Sequence, residues 1–166
     1  MLEYCTIKKS KVFAIAKTSG IKFHSHNIIV FKTSFDKVIE SDRSLKNHNN
    51  SKKLFRVGYT VSKIVGNATV RNLCKRRLRV AVSEINKLSE ARLSKTKSSQ
   101  AKDQNSNSTK TNSGSPLFES NFDYIFIVKK TNKIPLLADF ITDIKFLLRK
   151  TANKQNNQIK LLQTNL

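Results

Sequence analysis

The chain has 166 residues, with 32 Lys or Arg against 11 Asp or Glu and a formal net charge of +21. Self-repulsion at that density opposes compaction unless an anionic partner neutralises it, and nucleic acid is the partner whose charge fits best. No run of about 18 apolar residues exists to cross a membrane, and two cysteines, Cys5 and Cys74, do not make a disulfide framework.

Only 38% of the residues are hydrophobic, below the roughly 45–50% of an average globular chain, so a small core with polar stretches outside it is expected. The first fifteen residues lack the apolar run of a signal peptide, which makes the cytoplasm the expected compartment. One domain over residues 1–152 is expected, followed by a polar tail at 153–166.

In chain order, residues 8–18 carry Val12, Ile15 and Ala16 at helical spacing, with Gly20 as a stop. Residues 27–33 are β-branched and aromatic, which predicts a strand. Residues 36–53 are polar and predict a long loop. Residues 54–62 predict a second strand, with Phe55, Val57, Tyr59 and Val61 on one face. Asn67 can cap the helix that follows. Its apolar stripe is Val70, Cys74, Leu78, Ala81, Val82, Ile85 and Leu88.

Residues 94–116 hold almost no apolar side chain and predict a disordered insertion, since they cannot bury enough surface to offset the entropy of ordering. Residues 122–129 predict a buried strand. Pro135 suits the first turn of a last helix running to about Thr151, with Asp139 and Asp143 on its exposed side. The order of elements reads as α+β, one small sheet with helices packed on it.

The helix after Asn67 carries the chemistry. From Arg43 to Ser83 there is no Asp or Glu, while eleven Lys or Arg fall in that span. Solvated helices ordinarily mix both signs of charge, because neighbouring opposite charges stabilise them. Arg71, Lys75 and Arg79 follow at four-residue steps on one face, which Asn72 and Arg76 extend, while Arg77 sits at the edge of the apolar stripe. Guanidinium forks suit phosphate because they bind it through two parallel hydrogen bonds. Paired carboxylates that would hold a metal for a protein nuclease are missing from the predicted elements. His24 and His26 have no Cys, Asp or Glu at ligand spacing, and Cys74 reads as a small core residue. A chain that assists catalysis rather than performing it is expected, with a general binder of structured RNA as the alternative.

Residues Gly58 to Arg79, Gly-Tyr-Thr-Val-Ser-Lys-Ile-Val-Gly-Asn-Ala-Thr-Val-Arg-Asn-Leu-Cys-Lys-Arg-Arg-Leu-Arg, resemble the signature of the protein subunit of bacterial ribonuclease P. That signature runs roughly G-x-x-V-S-K-K-x-G-N-A-V-x-R-N-R-x-K-R-x-x-R. Residues 8–31 resemble the family's first helix and first strand, and residues 122–129 its fourth strand. The resemblance implies an α–β sandwich of a four-stranded sheet and three helices, with a left-handed crossover between the third and fourth strands. It implies a protein that binds a catalytic RNA, which removes the 5′ leader of precursor tRNA with Mg²⁺ held mainly by RNA and substrate.

Carried over by position, Lys63, Asn67, Arg71, Asn72, Lys75, Arg76 and Arg79 would bind the catalytic RNA. Phe13, Lys17 and Phe31 would line a cleft for the leader, the two aromatics either stacking on its bases or packing in the core. Three positions depart from the pattern. Ile64 replaces a lysine, Leu73 replaces an arginine that Arg77 could stand in for, and Lys17 stands where a second cleft aromatic is frequent.

Overall fold

The structure is a computed structural model that describes residues 3–41, 54–98 and 117–163, with side chains over 3–41, 55–89 and 117–152. Strand β1 (Glu3–Thr6) precedes helix α1 (Ser10–Ser19), strands β2 (Ile21–His24) and β3 (Ile28–Ser34), and helix α2 (Phe35–Ser41). Strand β4 (Leu54–Val61), a 3₁₀ turn (Lys63–Val65), helix α3 (Ala68–Ser98), strand β5 (Phe122–Val128) and helix α4 (Leu137–Gln163) follow. The strands form one mixed sheet in the order β1-β4-β5-β3-β2. The pairs β1–β4 and β4–β5 are parallel, and β5–β3 and β3–β2 antiparallel. Helix α3 is thus the crossover between two adjacent parallel strands.

Period-two alternation divides the apolar side chains between the two sheet faces. Val30 on β3, Phe55, Val57 and Val61 on β4, and Tyr124, Phe126 and Val128 on β5 point to one face. There they meet Cys74, Leu78, Ala81, Val82 and Ile85 of α3 and Phe140, Ile144, Leu147 and Leu148 of α4. A smaller cluster on the other face joins Ile7, Val12, Ala16, Phe31, Val38 and Ile125, with Phe13, Ile15, Ile29 and Ile127 half-buried beside it. Each fully buried aliphatic or aromatic side chain contributes about 1.5–3 kcal/mol, so the larger cluster dominates stability and holds α3 to the sheet.

A buried ion pair clamps the smaller face. Arg56 Nε and Nη2 donate to the two carboxylate oxygens of Asp123 at 2.6 and 2.7 Å, and the two residues stand opposite each other in the β4–β5 register. The Phe35 ring lies 4.3 Å from the guanidinium carbon. Burial pushes the Asp123 carboxyl above its ordinary range, and the Arg56 fork pulls it back. On the α3 face, Lys32 pairs with Glu119 at 2.5 Å and lies 4.2 Å from the Phe122 ring centroid. Burial lowers the Lys32 pKa, and the Glu119 contact opposes that.

Several elements differ from the expectations. The described residues hold five strands and four α-helices rather than four and three. β1 is only four residues long and carries little pattern; it is held by Tyr4 stacking on Phe55 at 5.3 Å. β2 alternates half-buried Ile21 and Phe23 with exposed Lys22 and His24, a half-covered edge strand. The expected loop at 36–53 begins as helix α2, because Phe35 and Val38 are buried and Ser34 Oγ accepts the Lys37 N–H at 3.4 Å. Residues 42–53 lie outside the described residues, as do 99–116 of the expected insertion and the end of the tail, 164–166.

Helix α3 runs to Ser98 and so takes in residues 94–98, and α4 runs to Gln163 through most of the expected polar tail. Neither stretch contains Gly or Pro to end a helix. Leu88, expected in the stripe, is 44% exposed. Pro135 precedes α4 instead of opening it, and Asp139 Oδ2 accepts the Leu136 N–H at 2.8 Å as the helix begins. Asp143 is buried rather than exposed, and accepts the Asn27 backbone N–H at 3.0 Å.

Candidate nucleic-acid interface

The turn before α3 is shaped by Gly66. Its φ is +157°, and a Cβ there would stand 3.1 Å from Val70 Cγ1, so the turn suits glycine. Asn67 Oδ1 then accepts the Val70 N–H at 3.0 Å, the cap expected from the sequence. Arg71 is half-buried and donates through Nη1 to the Gly66 carbonyl at 3.0 Å, which ties the turn to the helix. Guanidinium carries five N–H donors in a fixed fork, so Arg71 keeps others for a ligand.

Beyond it, Lys75 is half-buried and Asn72, Arg76 and Arg79 are exposed. At 100° per residue, Arg71, Lys75, Arg79, Asn72 and Arg76 span an arc of about 140° on one flank of the apolar stripe. Lys63, exposed on the 3₁₀ turn, precedes that face. Arg77 leaves by the other flank, where its Nη1 donates to the Pro135 carbonyl at 2.6 Å. It braces the approach to α4 and is no simple stand-in for the arginine that Leu73 replaces.

The cationic flank points away from α4, toward the β1–β4 side of the sheet. The Arg79 guanidinium lies 5.7 Å from the Tyr59 ring centroid. β1 pairs with β4 only as far as Val57, so Tyr59, Thr60 and Val61 have no strand on that edge among the described residues. The Tyr59 hydroxyl is buried without a hydrogen-bond partner. Burial pushes its pKa above the ordinary tyrosine range.

On the opposite face of the sheet, α1 leaves a cleft. The Phe13 ring lies directly over Gly58, where a Cβ would come within 2.8 Å of Cε1 and Cζ. Lys17, one turn on, is exposed. Phe31 is only 9% exposed and packs in the smaller cluster, with the Lys22 ammonium 5.8 Å from its ring centroid. Strand register places Lys22, Phe31, Ile125 and Gly58 in one row, and His24, Ile29, Ile127 and Thr60 in the next. That second row is half-buried or exposed throughout, so it forms an open floor beyond Phe13. Sequence reading puts Thr60 on the Gly58 face but assigns neither it nor Ile29 nor Ile127 to the cleft, although two-residue alternation leads from Phe31 to Ile29 and from Gly58 to Thr60. Tyr59 faces the basic helix and Thr60 the cleft, so one strand separates the two surfaces.

Comparison with known proteins bears on this arrangement. The family model described as Ribonuclease P matches residues 1–152. The chain belongs to the ribonuclease P protein family. No curated protein matches its sequence. Among solved structures, the chain is similar to the Staphylococcus aureus RNase P protein at 18% identity and a TM-score of 0.51, covering 88% of this chain and 94% of that one. A mutant of the S. aureus protein with defective mRNA degradation activity gives 19% identity and a TM-score of 0.52, covering 89% and 87%. At these identities the structures establish the fold alone. Family membership supplies the role, the protein subunit of ribonuclease P in tRNA processing, with the ribonuclease P RNA as partner.

Within that family, Ile64 is 71% exposed on the turn where a lysine is usual. Leu73 is half-buried on the Arg77 flank of α3. The described residues do not fit a Mg²⁺ site: no three His, Cys, Asp or Glu side chains gather, Asp123 is engaged by Arg56, and Asp143 by the Asn27 N–H. Cys74 is buried and Cys5 exposed, both as free thiols; desolvation raises the Cys74 pKa against the pull of Arg77, and partial desolvation by the surrounding atoms raises that of Cys5 against the pull of Arg56. Among the described residues, no helix is long and apolar enough to cross a membrane.

Proposed function

We propose that the protein binds the catalytic RNA of ribonuclease P through Lys63, Asn67, Arg71, Asn72, Lys75, Arg76 and Arg79, and receives the 5′ leader of precursor tRNA in the cleft beside α1. In this reading the RNA cleaves the leader endonucleolytically with Mg²⁺ held by RNA and substrate. The protein's cations offset repulsion between the two polyanions. Phe13 offers the leader an aromatic surface, Lys17 and Lys22 offer cations to its phosphates, and Phe31 supports the floor from below. Unpaired bases stack on such surfaces with little sequence preference. A bacterial cytoplasm is the compartment that fits such a complex.

The observation that carries the reading is the shared strand. Arg79 lies over Tyr59 on one face of β4 while Thr60 opens into the cleft on the other, so a single protein can touch both RNAs at once. The test is binding of the assembled RNA–protein complex to precursor tRNA with a leader and to the mature tRNA. Tighter binding of the leader-bearing form, lost when the protein is omitted, is expected. Equal affinity for both forms would remove the leader from the account.

A further inference from the structure

The flank of α3 opposite Arg71, Lys75 and Arg79 carries an apolar strip. Leu136 is 60% exposed, Ile134 45% and Val80 41%, in a chain with a net charge of +21. Ile134 and Leu136 join this flank because Arg77 Nη1 donates to the carbonyl of Pro135, the residue between them, and Val80 follows Arg77 by three residues on the same helix. Helical side chains lean toward the N-terminus, so the Arg77 stem lies over the turn that carries half-buried Leu73. Cations border the strip, with Arg76 on α3 and Lys130 and Lys133 in the segment leading to α4, all exposed. Two acids lie near: Asp139, which accepts the Leu136 N–H, and Glu84, one turn past Val80 on α3.

We propose that this strip is a second contact surface for the RNA partner, taking an unpaired stretch whose bases lie against Leu73, Val80, Ile134 and Leu136 while Arg76, Lys130 and Lys133 meet its phosphates. The inference rests on the ribonuclease P reading. Charge favours nucleic acid over a protein here, since lysine is depleted at protein interfaces. The aliphatic surface favours unpaired RNA, because only unpaired bases offer their faces. Helix α3 would then meet RNA along both flanks, and Leu73 would serve an apolar contact where the family pattern has a cation.

The test measures binding of the full chain to a bacterial ribonuclease P RNA over a range of salt. Ile134→Ser with Leu136→Ser should weaken binding about tenfold, the scale of one buried aliphatic side chain, without changing the salt dependence. Lys130→Gln with Lys133→Gln should flatten the log–log salt slope by roughly 0.7–0.9 for each phosphate left without its cation. All four positions are exposed, so an unchanged melting temperature identifies a folded variant. If the serine variant binds RNA as the wild type does, the proposal fails. It fails also if that variant instead abolishes a concentration-dependent dimer, which would make the strip a protein interface. A wild-type chain that does not bind the RNA at all would sink the ribonuclease P reading itself.

Discussion

Gly58→Ala probes the cleft from beneath. The new Cβ would stand 2.8 Å from Cε1 and Cζ of Phe13 and 3.3 Å from Cγ1 of Ile125. Ordinary carbon contacts begin near 3.5 Å, so the ring must retreat by about 0.7 Å or tilt. Ile125 is fully buried in the sheet and cannot give, whereas Phe13 is half-buried and can move into the open side. Overpacking of this kind costs about 1–3 kcal/mol, and the free side of the ring puts this case near 1. A ring displaced into the cleft should weaken leader binding by about 1–2 kcal/mol, a factor of roughly 5–30. The assay is affinity of the assembled complex for precursor tRNA with its leader, beside affinity of the protein for the catalytic RNA. The second should stay put, because Gly58 faces away from α3. Full leader affinity in a folded Gly58→Ala protein would refute the placement of Phe13 as the wall of a binding cleft.

Arg71→Ala should weaken binding of the catalytic RNA by about 1–3 kcal/mol, the scale of one charge-assisted hydrogen bond. A titration in which affinity does not move takes Arg71 out of the contact set. Asp123→Asn breaks the buried ion pair with Arg56, so a loss of about 3–5 kcal/mol in denaturant unfolding is expected; a loss under about 1 kcal/mol would mean the pair is dispensable. Phe31→Ala empties a buried site and should cost about 3–5 kcal/mol of stability, beyond any effect on the leader. A variant of native stability that loses only leader affinity would place the ring in the cleft instead.

The legibility of this chain follows from where its signals are local. Asn67 as a cap, Gly20 as a stop and the alternation of β4 each depend on neighbouring residues, and the structure has them as read. The acid-free helix face is likewise a matter of four-residue spacing, and its exposed flank is where that spacing puts it. What escaped depends on distant partners. β1 exists because Tyr4 finds Phe55 some fifty residues later. Asp143 looked exposed on a helical wheel, and is buried because the Asn27 N–H needs an acceptor. Arg77 has the composition of a phosphate ligand, and only tertiary structure brings the Pro135 carbonyl to it. Phe31 was open between core and cleft on sequence, since strand alternation gives its face but not how much of that face α1 and α2 cover.

Reconstitution tests the central claim most directly. The protein, a bacterial ribonuclease P RNA and a labelled precursor tRNA are combined at low Mg²⁺, beside protein-alone and RNA-alone controls. Cleavage at the mature 5′ end only when protein and RNA are both present is the predicted result. Cleavage by the protein alone, or binding of the RNA without any stimulation of cleavage, would contradict it.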